Sequence, residues 1–249
     1  MCTVVILRQP GRPWPVILGA NRDEMLNRPW APPARHWEDR PDVVAGQDKL
    51  ASGSWMGLND TGVVACILNR FGTLGPVDGK RSRGELVLEA LDHPDAAAAA
   101  EALSEINPEA YRPFNMVIAD NRDAWWVKLA DDKVRILPIA TGITMFTAGD
   151  RNDPADPRIK TYLPRFQSAA VPDPDKNDWT AWRKLLGTTG GEGERAMSFR
   201  LPNGFGTSSS SLLALPSTAR AFGAEKTRPI WLFAGGPPES APFAAVKLQ

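Results

Sequence analysis

Cysteine and histidine are scarce in this chain: of 249 residues only two are Cys and two are His. Cys2 and Cys66 can close at most one bridge, so a disulfide scaffold is excluded. His36 and His93 approach no Cys/His zinc spacing, which removes a structural zinc site. Neither sign of charge is in excess, with Lys plus Arg and Asp plus Glu at 29 each. A chain so balanced carries no overall electrostatic footprint for nucleic acid or an anionic membrane. Long hydrophobic runs are also missing. The "TVVIL" run ends at Arg8 and follows no basic stretch, so it reads as neither signal peptide nor membrane span. The expected compartment is the cytoplasm, where thiols stay reduced. No repeat period and no long linker appear, and the 23 prolines and 21 glycines punctuate apolar runs, which predicts a single domain over 1–249.

What is present is a succession of strand-like runs. "TVVIL" and "PVILGA" flank the turn cluster "RQPGRPW", a hairpin signature. "DVVAG", "SWMGL" and "GVVACILN" follow, and "SRGELVLEALDHPDAAAAAEALSEI" reads as two helices broken at His93 and Pro94. "PFNMVIAD", "AWWVKLA", "KVRILPI" and "GITMFTAG" predict an antiparallel meander of four strands. Helices are expected near 155–168 and 177–187, then a Gly-rich connection "GTTGGEGE" without the Lys of a phosphate loop. "FGTSSSSLLAL" and "RPIWLFAGG" close the chain as strands. Segregated blocks of strands and helices make the fold class α+β.

The first hairpin carries the chemistry. With the turn centred on Gly11 and Arg12, Cys2 falls opposite Asn21, and the polar tetrad Asn21, Arg22, Asp23 and Glu24 arrives beside the N-terminal thiol. Alternation puts Asn21 and Asp23 on one face and Arg22 and Glu24 on the other, although a one-residue slip would change which of them meets Cys2. Removal of Met1 would leave Cys2 with a free α-amine, which titrates near ~8 and can take the thiol proton. Such a nucleophile needs no histidine. Arg22 would favour the thiolate, and Asp23 could hold the ammonium or the arginine.

These residues resemble the NRDE family, also called the transport and Golgi organization family. The resemblance rests on Met-Cys at the start, the tetrad at 21–24, "NRPW", "SWMGLNDTGVVACILNR", "RSRGELV", "PFNMVIAD", "DPRIKTYLPRF" and "FGTSSSSLLAL". "GLNDTGVVACILN" is more distantly similar to the penicillin V acylase and bile salt hydrolase branch of the N-terminal nucleophile (Ntn) hydrolases. That similarity implies a four-layer αββα sandwich with antiparallel sheets, Cys2 as nucleophile, Asp23 as its supporting aspartate and Asn69 as an oxyanion-stabilising asparagine. The chain departs from that branch at Ala20, where the branch has arginine, at Ala148 or Gly149, where it has a second asparagine, and in lacking a late arginine.

Two functions follow. One is an amidohydrolase of a small amide or thioester, with Cys2, Asn21, Arg22, Asp23 and Asn69 as site residues and no required cofactor or metal. The other, implied by the family resemblance, is a carrier or chaperone that handles haem or acyl-CoA and lipid, with haem allowed as bound cargo and a thiolate from Cys2 or Cys66 as its ligand. Trp125 and Trp126 are read as core, and Ser208 to Ser211 as strand plus loop without a partnered base. The partner in either case is a small molecule; the sequence leaves the oligomeric state open.

Overall fold

In a computed structural model, residues 2–191, 193–224 and 226–248 are described, and the chain divides into two compact units, residues 1–28 with 141–246 and residues 29–140 with 247–249. The chain begins in the first unit with β1 (Thr3–Arg8) and β2 (Val16–Met25). The β-branched run of β1 suits a strand buried on both faces. A loop over 9–15 reverses the chain, closed by Gln9 N–H donating to Pro15 C=O at 2.8 Å and turned at Gly11, whose φ of 82° favours glycine.

The second unit is an antiparallel sheet of consecutive strands: β3 (Trp30–Ala34), β4 (Val43–Asp48), β5 (Met56–Asn59), β6 (Val64–Asn69), β7 (Phe114–Ala119), β8 (Ala124–Ala130) and β9 (Lys133–Pro138). Its two helices, α1 (Gly84–Leu91) and α2 (Ala96–Ser104), pack on one face with Val43, Ala45, Ala65, Met116, Ile118 and Val127. Asp95 caps α2 by accepting from Ala98 N–H, so Pro94 lies just before the cap. The sequence shows no strand at β3, since "WAPPA" holds two prolines; as an edge strand it tolerates them.

Returning to the first unit, the chain adds β10 (Gly142–Phe146), α3 (Pro157–Ser168), α4 (Thr180–Leu186), β11 (Phe205–Leu215), α5 (Thr218–Ala221), β12 (Ile230–Ala234) and the short β13 (Ala244–Ala245). Its sheet runs β10-β1-β2-β11-β12-β13, antiparallel throughout. The expected four-strand meander is therefore three strands, β7 to β9. The fourth, β10, pairs with β1 instead, because its partner lies at the start of the chain, beyond the reach of local pattern. Helices α3 and α4 cover one face through Ile159, Tyr162, Phe166 and Trp182 against Val5, Ile17, Met145 and Leu212. At Gly19 an added Cβ would come 3.1 Å from Trp182, so glycine permits this close approach of helix to sheet. The connection "GTTGGEGE" includes Glu192, which lies outside the described residues.

Candidate functional site

Hairpin register decides what stands near the thiol. Thr3, not Cys2, pairs with Asn21, a shift of one residue from the register expected for a turn at Gly11 and Arg12. The turn spreads over 9–15, moving its centre toward the C-terminus and leaving Cys2 level with Arg22. Proximity to the tetrad holds nonetheless. Cys2 Sγ lies 3.3 Å from the Asp23 backbone N–H, which donates to it, and 3.4 Å from the Asp23 carbonyl, to which the thiol donates.

The tetrad lies inside β2, and its side chains separate by face as alternation requires. Asn21 and Asp23 bond to the helical side. Asn21 Nδ2 donates to the carbonyls of Leu186 (2.9 Å) and Met197 (2.8 Å), and its Oδ1 accepts from Ser210 at 2.7 Å. These bonds tie β2 to the end of α4, to the segment before β11 and to β11 itself. Asn21 is therefore placed as a cross-link, away from the sulfur it was expected to face. Arg22 and Glu24 stand together on the other face at 3.8 Å, and Arg22 donates to Ser208 Oγ at 3.0 Å.

Asp23 is held from two sides. Its Oδ1 accepts from Thr207 Oγ1 at 2.8 Å, and its Oδ2 lies 3.1 Å from Nη1 of Arg158, with both charged side chains fully buried. Arg158 also donates to Thr3 Oγ1 at 2.8 Å and lies over the Phe199 ring at 5.5 Å. The arginine that Asp23 holds is thus Arg158, which the sequence reading did not single out although it stands in "DPRIK". A signal was available there. A cation in the first turn of a helix opposes the helix dipole, so Arg158 just after the Asp156–Pro157 helix start calls for a carboxylate elsewhere. Asp156 organises that start by accepting from the N–H groups of Arg158 (2.8 Å) and Ile159 (3.2 Å), while its other oxygen accepts from Thr147 at 2.6 Å.

Electrostatics at the thiol run in both directions. Burial pushes the Cys2 thiol above its ordinary value and the Asp23 carboxylate adds to the rise, while the Asp23 N–H and the Arg22 guanidinium oppose it. Arg22 favours the thiolate as expected, but burial and the Asp23 carboxylate outweigh it and the thiol stays raised. A base must take its proton before it can attack. Met1, whose removal would expose that base, lies outside the described residues.

The other expected residues are placed as follows. Asn69 ends β6 in the second unit, half-buried and opposite Phe114. Cys66 is buried in the same strand, and burial alone drives its thiol far upward. The serine run is all strand: Ser210 serves Asn21, and Ser211 Oγ accepts from Trp231 Nε1 at 3.1 Å. Trp125 packs on the helix-side core of the second unit, and Trp126 Nε1 donates to Asn115 Oδ1 at 3.1 Å. His36 Nε2 stands 2.8 Å from the Pro32 carbonyl. Among the described residues no group of three or more His, Cys, Asp and Glu could hold a metal, and no helix is long and apolar enough to cross a membrane.

Known structures share this architecture at low identity. A Caenorhabditis elegans ortholog of N-acylethanolamine-hydrolyzing acid amidase superposes with a TM-score of 0.59 at 14% identity, covering 92% of this chain and 98% of the other. A mutant conjugated bile acid hydrolase from Clostridium perfringens gives 0.53 at 12% identity, over 99% and 97%. Penicillin V acylase from Agrobacterium tumefaciens gives 0.51 at 14%, over 94% and 83%. At such identities the likeness shows the fold, that of the Ntn hydrolases. In sequence, a mouse Transport and Golgi organization 2 homolog is 32% identical over 110 residues, spanning 42% of this chain and 38% of the mouse protein. The family profile described as Transport and Golgi organisation 2 matches residues 1–186, well over half of the chain, and the chain belongs to that family.

Proposed function

We propose that the protein is an N-terminal cysteine amidohydrolase acting on a small amide or thioester. The observation that carries this reading is Cys2 Sγ at 3.3 Å from the Asp23 N–H, beside a carboxylate fixed by Arg158 and Thr207. After loss of Met1 the α-amine takes the thiol proton and Sγ attacks the carbonyl carbon. The resulting ammonium protonates the leaving amine as the tetrahedral intermediate collapses to a thioester on Cys2. Water, deprotonated by the same amine, then releases the acid and restores the thiol. The Asp23 N–H supports the sulfur while it is anionic. Asp23, one residue beyond the position level with Cys2, offers the ammonium a counter-charge. The names of the fold neighbours, an amidase, an acylase and a bile acid hydrolase, support amide substrates.

The test is hydrolysis of a panel of N-acyl amides and acyl thioesters by wild type and Cys2→Ala. Turnover abolished in Cys2→Ala supports the proposal; turnover of none of the panel, or equal turnover by both proteins, contradicts it. The raised thiol weakens Cys2 as a nucleophile and leaves a second reading on the same scaffold, a carrier that binds an acyl-CoA or lipid, or haem through a ligand other than a thiolate, without turning it over. In that case Cys2→Ala retains binding by titration while neither protein hydrolyses the ligand.

A further inference from the structure

Three of the large apolar side chains most open to solvent sit within seven positions of one another: Phe71 (59% exposed), Leu74 (49%) and Val77 (46%). They belong to the loop 70–83 between β6 and α1 in the second unit. From Phe71 to Arg81 every residue is exposed except Thr73. Isolated exposed apolar residues are ordinary on a protein surface; a cluster of them on one loop marks a contact site.

The loop is built to present them. Gly72, Gly75 and Gly79 take φ of 69°, 82° and 77°, the left-handed region that turns the chain three times in eight residues. From beneath, Arg112 donates to the carbonyls of Gly72, Leu74 and Gly75, each at 2.8 Å. Arg83 donates to the Thr73 carbonyl (2.8 Å) and hydroxyl (2.9 Å), and that hydroxyl donates to the Arg70 carbonyl at 2.8 Å. Backbone polar groups are tied inward while the apolar side chains point out.

Its surroundings are cationic. Arg70, Lys80, Arg81, Arg83 and Arg112 stand against Asp78, Glu85, Glu89 and Glu109. Glu85 pairs with Arg81 at 2.7 Å, whereas Lys80 and Arg112 spend donors on carbonyl oxygens, which leave their charge uncancelled. Net neutrality of the whole chain conceals this local excess. An apolar tip inside a cationic rim complements a surface with anionic headgroups over hydrocarbon. We infer that the loop 70–83 docks the protein on an anionic phospholipid bilayer, with Phe71, Leu74 and Val77 entering the headgroup boundary and the positive charge of Lys80 and, from beneath, of Arg112 attracting lipid phosphates.

The inference does not depend on chemistry at Cys2. It is tested by flotation of the full chain with phosphatidylcholine vesicles containing about 30 mol% phosphatidylglycerol, compared with pure phosphatidylcholine. Wild type is expected to bind the anionic vesicles about tenfold more tightly, and about 0.5 M salt should remove most of the difference. Phe71→Ser with Leu74→Ser should abolish flotation, and Lys80→Gln with Arg112→Gln should bring anionic binding down to the zwitterionic level. Because Arg112 braces the loop, Lys80→Gln alone serves as the second charge variant and should lower anionic binding measurably with an unchanged circular dichroism spectrum. Absence of flotation, equal binding to both vesicles, or binding that survives Phe71→Ser with Leu74→Ser would overturn the inference. Under any of those results an acidic protein surface becomes the better occupant.

Discussion

Replacing Arg158 by Met tests whether the buried pair organises the site. Arg158 and Asp23 have no exposed side-chain surface and meet at 3.1 Å, so screening by water or salt is weak. Methionine fills much of the volume but removes the guanidinium that pairs with the buried Asp23 carboxylate. Breaking a buried pair from one side costs about 3–5 kcal/mol. At about 2–4 °C per kcal/mol for a chain of this size, the melting temperature should fall by about 6–20 °C. The double variant Asp23→Asn with Arg158→Met removes both charges and lets the amide oxygen keep the bond from Thr207. It should recover at least half of the loss, because the penalty comes from the orphaned charge rather than from lost attraction. Calorimetry on the four proteins of the cycle gives both numbers. A fall under about 3 °C in Arg158→Met, or a double variant no more stable than the single, would refute the reasoning.

Other perturbations separate structural from chemical roles. Asn21→Ala removes three buried hydrogen bonds and should cost about 3 kcal/mol in denaturant unfolding, yet leave the rate of Cys2 alkylation unchanged; a stable variant with altered alkylation would make Asn21 a site residue. A thiol count with a disulfide reagent should find at most Cys2 in the native protein and both cysteines after denaturation, since Cys66 is sealed in β6. The Cys2 thiol is raised on folding, so its contribution to stability is complete below the unfolded thiol value near ~8.5 and is lost as pH rises through the folded one. Alkylation of the folded chain with Met1 retained should accordingly need higher pH than alkylation of the unfolded chain, and Arg22→Gln should move the profile higher still.

Much of this was legible because it is written in local pattern. The strands "AWWVKLA" and "FGTSSSSLLAL" coincide with β8 and β11, and the helix break near His93 falls between α1 and α2. The approach of Cys2 to the tetrad followed from the hairpin alone. What escaped depends on contacts distant in sequence. Pairing of β10 with β1 joins residues about 140 positions apart, and no periodicity within β10 encodes its partner. Arg158 reaches Asp23 across a similar separation, and only its awkward place in the first turn of α3 betrays it. The Cys2 register was missed by one residue because prolines at 10, 13 and 15 lengthen the turn beyond the tight form that Gly11 suggests. That single step exchanges Asn21 for Arg22 as the residue level with the thiol. The elevated thiol was hidden for another reason: burial of the sulfur is a tertiary property, and it outweighs the Arg22 guanidinium that the sequence offers.

The central claim is that catalysis begins from an unblocked amine on Cys2, and intact-mass spectrometry of purified protein incubated with an N-acyl substrate reads it directly. The account predicts a chain lacking Met1 and, on rapid acid quench, a fraction heavier by one acyl group carried on the peptide that starts at Cys2. A chain that keeps Met1 and gains no acyl mass would contradict it.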